Sequence, residues 1–175
     1  VIDMSIRMVN VAAKGKSIAI ANNLPRSLPN IFVDERMVRQ MLINILSNAI
    51  KFTPKGGNVV INADVAEQGG FFVTVSDNGI GIEEDQIEKV LSPFGQVDAT
   101  YTREQDGTGL GLALVKAFIE LHGGTLQLES EWGVGTTVSL HFPEACLSQA
   151  IIDQEEQRDG EDADLNVRMA RCSSK

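Results

Sequence analysis

The sequence predicts a mixed α/β domain in which helices alternate with paired strands, followed by an acidic tail. Three observations carry this reading. Apolar residues recur at helical spacing in separate segments, short runs of strand-forming residues flank glycine turns in two places, and acidic residues dominate the chain beyond Pro143. With 175 residues and 43% hydrophobic content there is enough apolar material for one sizeable core. The expected division is a folded domain over residues 1–143 and a disordered tail over 144–175.

Ile2, Ile6, Val9 and Ala13 predict an opening amphipathic helix that ends near Gly15. Residues 17–21 read as a short strand, and residues 22–30, with Pro25 and Pro29, as a loop. Asp34 is a plausible N-cap for a longer helix. Its apolar stripe runs through Val38, Met41, Leu42, Ile45, Ala49 and Phe52 and stops before Thr53-Pro54. Gly56-Gly57 then leads into an antiparallel strand pair, residues 58–65 and 71–76, separated at Gly69-Gly70. A short helix is expected over residues 83–90, and residues 92–106 read as a long loop, ordered or mobile. Leu110, Leu114, Val115, Phe118 and Leu121 form the next helical face, which Gly123-Gly124 terminates. Two last strands, residues 125–130 and 136–142, turn at Trp132-Gly133-Val134-Gly135.

The chemistry gathers in three clusters. Asn44, Asn48 and Lys51 lie at i, i+4 and i+7 of the long helix. At about 100° per residue they share an arc of roughly 60° beside the apolar stripe. Asp77-Asn78-Gly79-Ile80-Gly81 follows a strand directly, and Gly107-Thr108-Gly109-Leu110-Gly111 opens a helix. An amide pair and an ammonium suit a metal-bound polyphosphate, and the glycines let backbone amides reach a ligand that side chains would block. Together they describe a nucleotide site. Neither glycine run matches rival phosphate loops, because the Gly-Lys-Ser/Thr lysine is absent and no apolar strand leads into Gly107.

The net charge of −9 argues against broad nucleic-acid binding, so an anionic ligand must be met locally. Lys51, Lys55, Arg103, helix N-termini and a divalent metal are the candidates for that local charge. Cys146 and Cys172 lack metal-ligand spacing, and no apolar run is long enough to cross a bilayer. The expectation is a soluble, cytoplasmic domain without direct membrane contact.

The run from Asp34-Glu35-Arg36 to Asn44-Ile45-Leu46-Ser47-Asn48-Ala49-Ile50-Lys51-Phe52-Thr53 resembles the asparagine box of sensor histidine kinases. Asp77 to Gly81 resembles their first glycine box, and Ser92-Pro93-Phe94-Gly95-Gln96-Val97-Asp98 their phenylalanine box. Gly107 to Leu112 resembles their second glycine box, and Gly133-Val134-Gly135-Thr136 the signature that ends the domain. Ordered motifs at fitting separations are far more specific than any one alone. The asparagine box and lid are also similar to those of kinases in bacterial cell-cycle control.

That resemblance implies a two-layer α/β sandwich of Bergerat type, a mixed sheet with helices on one face and a flexible ATP lid. It implies that Asn48 binds Mg²⁺, Asn44 supports the metal–phosphate network, Lys51 contacts phosphate and Asp77 accepts a hydrogen bond from the adenine amine. Contacts with ATP extend by the same likeness to Gly79, Gly81, Ile82, Phe94, Arg103, Gly107, Thr108, Gly109, Leu110, Gly111 and Thr136. A carboxylate meets a donor in adenine but the O6 acceptor in guanine, so it selects by repulsion as well as attraction. Magnesium keeps several waters, so one amide oxygen plus phosphate oxygens suffices.

Blander readings stand beside these. Paired asparagines alone are an ordinary solvated face, Asp-Asn-Gly alone is a turn, and Phe94 reads most simply as a core anchor. Lys55 flanks a turn and Arg103 reads as a solvated loop charge. His122 at a helix end suits interaction with the helix dipole rather than catalysis.

The function implied by the resemblance is donation of the ATP γ-phosphoryl group to a histidine on a separate dimerisation and phosphoacceptor domain, with a response regulator downstream. Neither His122-Gly-Gly nor His141-Phe-Pro fits the family's acceptor motif, so this chain is expected not to phosphorylate itself. Sensor regions and any inner-membrane anchor would then lie upstream. The alternatives are an ATP-hydrolysing conformational switch and a catalytically silent nucleotide-binding module. Hydrolysing relatives carry glutamate where Asn44 stands, and an amide cannot serve as their general base.

Overall fold

The computed structural model describes residues 1–25, 27–66, 69–93 and 109–147. The elements follow the expected order: α1 (Ile2–Gly15), β1 (Ala19–Asn22), α2 (Glu35–Phe52), β2 (Asn58–Val65), β3 (Phe71–Asp77), α3 (Ile87–Leu91), α4 (Gly111–Leu121), β4 (Thr125–Glu131) and β5 (Gly135–Phe142). One-turn 3-10 helices, Glu84–Gln86 and Glu144–Cys146, precede α3 and follow β5. The five strands form one sheet in the order β1-β2-β3-β5-β4. Only β1 and β2 run parallel, joined through α2; the other pairs are antiparallel, so the sheet is mixed.

Alternation along the strands sends one face into the core. Val59, Ile61 and Ala63 of β2, Phe71, Val73 and Val75 of β3, and Val138, Leu140 and Phe142 of β5 are all buried. Helices α1, α2 and α4 pack beside one another over that face. α2 lies between the other two, which explains why its buried surface is wider than the predicted stripe. Leu46 and Ile50 join Val38, Met41, Leu42, Ile45 and Ala49 in the core, whereas Phe52 is only half-buried. The opposite sheet face is polar, with Thr74 bonded to Ser139 at 3.2 Å and Thr137 donating to Ser76 at 3.0 Å.

Three expectations need correction. The first strand begins at Ala19 rather than residue 17, because Ser17 is left-handed at φ 54° and completes the turn that closes α1. Its amide donates to the Lys14 carbonyl, and the Ile18 amide to that of Ala13. The short helix over 83–90 divides into a 3-10 turn and α3. The fold also continues past Pro143. Cys146 and Leu147 are each 7% exposed, Leu147 forms an antiparallel bridge with Ile31, and the Phe32 amide donates to the Cys146 carbonyl at 2.7 Å. Two apolar residues hidden in a polar stretch were too few to register as a pattern.

Candidate functional site

α2 is fixed at both ends, and that sets the height of its polar face. The Asp34 carboxylate accepts from the amides of Arg36 and Met37, at 2.8 and 3.1 Å, which caps the first turn. At the other end the Lys16 ammonium donates to the carbonyls of Ile50, Lys51 and Thr53. A cation there satisfies orphan acceptors and suits the negative end of the helix dipole. Between these anchors Asn44 and Asn48 are half-buried and look toward α4. Asn44 accepts from Gln40 at 3.1 Å and donates to the Gly111 carbonyl at 3.4 Å. The Asn48 amide nitrogen lies 3.7 Å from where a Cβ on Gly111 would stand. The two asparagines therefore lie under the first residue of α4.

That helix begins without a side-chain cap at Leu110, so its first-turn amides are not satisfied from its own N-cap. Gly109 approaches it at φ 68°. Lys51, half-buried at the far end of α2, holds its ammonium 5.0 Å from the centroid of the Phe52 ring. The Phe52 carbonyl accepts from the Ile80 amide at 3.3 Å, which ties the end of α2 to the loop after β3.

On the core face, the end of the sheet turns polar. Asp77 and Thr136 stand opposite each other in the β3–β5 ladder, and Ser130 and Thr136 stand opposite each other in the β4–β5 ladder. Burial pushes the Asp77 carboxyl above its ordinary range, while hydrogen bonds from the backbone of Gly79 and Thr136 pull in the other direction. The Gly79 bond is 2.8 Å long. Ser130 Oγ accepts from the Ile82 amide at 2.8 Å and lies 2.8 Å from Thr136 Oγ1. Two glycines are required here. Gly81 (φ 71°) and Gly135 (φ 144°) lie against the backbones of Glu131 and Asp77, and a Cβ at either position would collide with a carbonyl.

The chain from residue 33 to residue 145 matches the family model described as histidine kinase-, DNA gyrase B- and HSP90-like ATPase. The protein belongs to this ATPase family. It is 42% identical over 137 residues to an uncharacterised sensor-like histidine kinase of Rhizobium meliloti, covering 78% of this chain and 26% of the relative. It is 33% identical over 147 residues to the cell-division control histidine kinase PdhS of Brucella abortus, covering 79% of this chain and 14% of the relative. Among solved structures, full-length ShkA in complex with AMPPNP superimposes with a TM-score of 0.72 at 29% identity, over 84% of this chain and 30% of that one. The likeness to sensor histidine kinases, the cell-division type included, is therefore found in relatives as well as in motifs. The chain spans about a quarter or less of the length of these curated relatives.

In this ATPase domain the described residues divide the expected site into two parts. Asn44, Asn48, Leu110 and Gly111 meet at the α2–α4 contact. Asp77, Gly79, Gly81, Ile82 and Thr136 gather where the sheet ends. Lys51 stands by Phe52, whose carbonyl joins the two parts, and Lys55 is exposed on the turn before β2. Phe94, Arg103, Gly107 and Thr108, with most of the expected loop and the acidic tail, lie outside the described residues.

Some positions escaped sequence reasoning. Lys16 and Ser130 belong to none of the motifs, yet one closes the end of α2 and the other bonds to Thr136 and the Ile82 amide. Asn78 also holds its loop, accepting from the Asn58 amide at 2.7 Å. Only the pairing of strands could have revealed Ser130, because Thr136 is six residues away in sequence. Among the described residues no helix is long and apolar enough to cross a membrane, and no cluster of three or more His, Cys, Asp or Glu could hold a metal. A groove of about 540 Å³ opens between residues 82–87 and the end of β4, but Glu83, Glu84, Glu129 and Glu131 line it. Those carboxylates would repel a polyphosphate.

Proposed function

We propose that the domain binds Mg·ATP between α2 and the start of α4 and presents the γ-phosphoryl group to a histidine on a separate helical domain. The observation that carries this reading is Asp77. It is a half-buried carboxylate with no cationic partner among the described residues, held by backbone donors at the end of the sheet. An ionisable group kept in so costly a place is explained by a ligand that needs an acceptor, and the exocyclic amine of adenine is such a donor.

The donor set fits the remaining parts. Asn48 would offer one amide oxygen to Mg²⁺, which takes its other ligands from phosphate and water. Asn44 would hold the opening of α4 in place through Gly111, Lys51 would offset phosphate charge, and the uncapped amides of α4 would face the anion. Bound Mg·ATP supplies the phosphoryl donor. The protein's share of the chemistry is alignment and charge neutralisation. Hydrolysis by a general base is disfavoured at Asn44, whose amide is engaged at both ends and takes up no proton near neutral pH.

The acceptor histidine, its dimerisation domain and the response regulator are then partners outside this chain, and the site of action is the cytoplasm. Calorimetry with Mg²⁺ and a non-hydrolysable ATP analogue tests the binding step. Asp77→Asn should weaken affinity by about tenfold or more with the fold intact, and equal affinity would refute the adenine assignment. Labelled ATP supplied with a relative's histidine-bearing helical domain tests the transfer step. Acid-labile label is expected on that domain and not on this chain.

A further inference from the structure

We propose that Ser130 is a specificity-determining positioning residue, which fixes the direction of the Thr136 hydroxyl so that this hydroxyl and Asp77 present only acceptors to the ligand. The inference rests on the nucleotide reading above and concerns how the same site tells one purine from another.

Ser130 Oγ has three partners: the Ile82 amide at 2.8 Å, the Gly135 carbonyl at 3.0 Å and Thr136 Oγ1 at 2.8 Å. A serine hydroxyl carries one hydrogen and two lone pairs. The Ile82 amide can only donate and the Gly135 carbonyl can only accept. All three contacts are made together in one arrangement alone, in which Ser130 donates to Gly135 and accepts from both Ile82 and Thr136. The hydrogen of Thr136 is thereby committed to Ser130, and its free lone pairs are what remains for a ligand.

Asp77 stands directly across the ladder from Thr136 and, as a carboxylate, also only accepts. The pair is matched to an amine at position 6 of the purine, or to an amine and a bridging water. In the same pose a 6-oxo purine sets an acceptor where the amine stood, and its N1–H donor lies beside that position rather than in it. Ser130 touches none of these ligand atoms. It acts by holding Thr136, and through Ile82 it also holds the loop that follows Asp77.

The test compares the affinities of ATP and inosine triphosphate, which differ at position 6 and in the proton on N1, in wild type, Ser130→Ala, Ser130→Thr, Thr136→Val and the Ser130→Ala/Thr136→Val double variant. In Ser130→Ala the Thr136 hydroxyl is free to turn and donate, so the preference for ATP should fall by about tenfold, while Ser130→Thr should keep it. Thr136→Val should lower the preference without disturbing the Ile82 contact, and adding Ser130→Ala to it should lower the preference no further. An unchanged preference in Ser130→Ala, or in Thr136→Val should the first variant not fold, overturns the inference. So does a double variant whose two losses simply add. A wild-type protein that binds neither nucleotide overturns the nucleotide reading itself, and that failure is seen before any variant is compared.

Discussion

Asp77 costs the fold stability in the state that the proposed ligand needs. Burial raises its folded pKa above the ordinary carboxylate value, only partly offset by the backbone donors. The folded protein therefore holds this proton more readily than the unfolded chain, and stability is lost as pH rises through the raised value. At neutral pH the carboxylate is a net cost. Asp77→Asn should raise the melting temperature at pH 7 by a few degrees, and the gain should shrink toward zero as the wild-type carboxyl is protonated. Thermal scans at several pH values check this, and a variant less stable at pH 7 would show that the backbone donors dominate. The same residue illustrates what the sequence discloses. Its place before Gly79 and Gly81 was legible, because turn chemistry is local, although it is the last residue of β3 and not the first beyond it. Its partnership with Thr136 and Ser130 was not, since strand register joins residues far apart in the chain.

Among the elements, α2 and α4 are tied at the end opposite Lys16. His122, the residue after α4, lies 2.7 Å through Nδ1 from the Phe118 carbonyl, and its Nε2 accepts from the Asp34 amide at 3.0 Å. Acceptance at Nε2 puts the hydrogen on Nδ1, which donates to the Phe118 carbonyl, so the ring bridges the end of α4 to the start of α2. His122→Ala should cost about 1 kcal/mol, by leaving the half-buried Phe118 carbonyl without this partner and the exposed Asp34 amide to water, measurable as a lower denaturant midpoint. A change under about 0.5 kcal/mol would mean that water replaces both bonds. The helix itself was easy to read, since Asp34 caps it as expected and the stripe from Val38 to Ala49 is buried. The ring's second partner was not legible, because it arrives from a segment 88 residues away. Nor was the left-handed Ser17, where glycine was the natural candidate and Gly15 instead remains helical.

At the scale of the molecule, the sheet and its three covering helices form one core that closes only when residues 144–147 are added. A chain ending at Pro143 loses the burial of Cys146 and Leu147, the bridge to Ile31 and the bond from Phe32. It should be less stable than a chain ending at Leu147 by about 2–4 kcal/mol, read as a lower denaturant midpoint. Equal midpoints for the two truncations would show those contacts to be dispensable. The architecture was legible because helical and strand periods change cleanly along the chain. Its last turn was not, because the surrounding composition is acidic.

The sheet also has a margin. β4 is its last strand, and the side chains that alternate to its exposed positions are Thr125, Gln127, Glu129 and Glu131. Among the described residues no strand pairs with its outer edge, and the two carboxylates beside that edge disfavour its pairing with a second copy. Removing those two charges should leave that margin more open to edge-to-edge association.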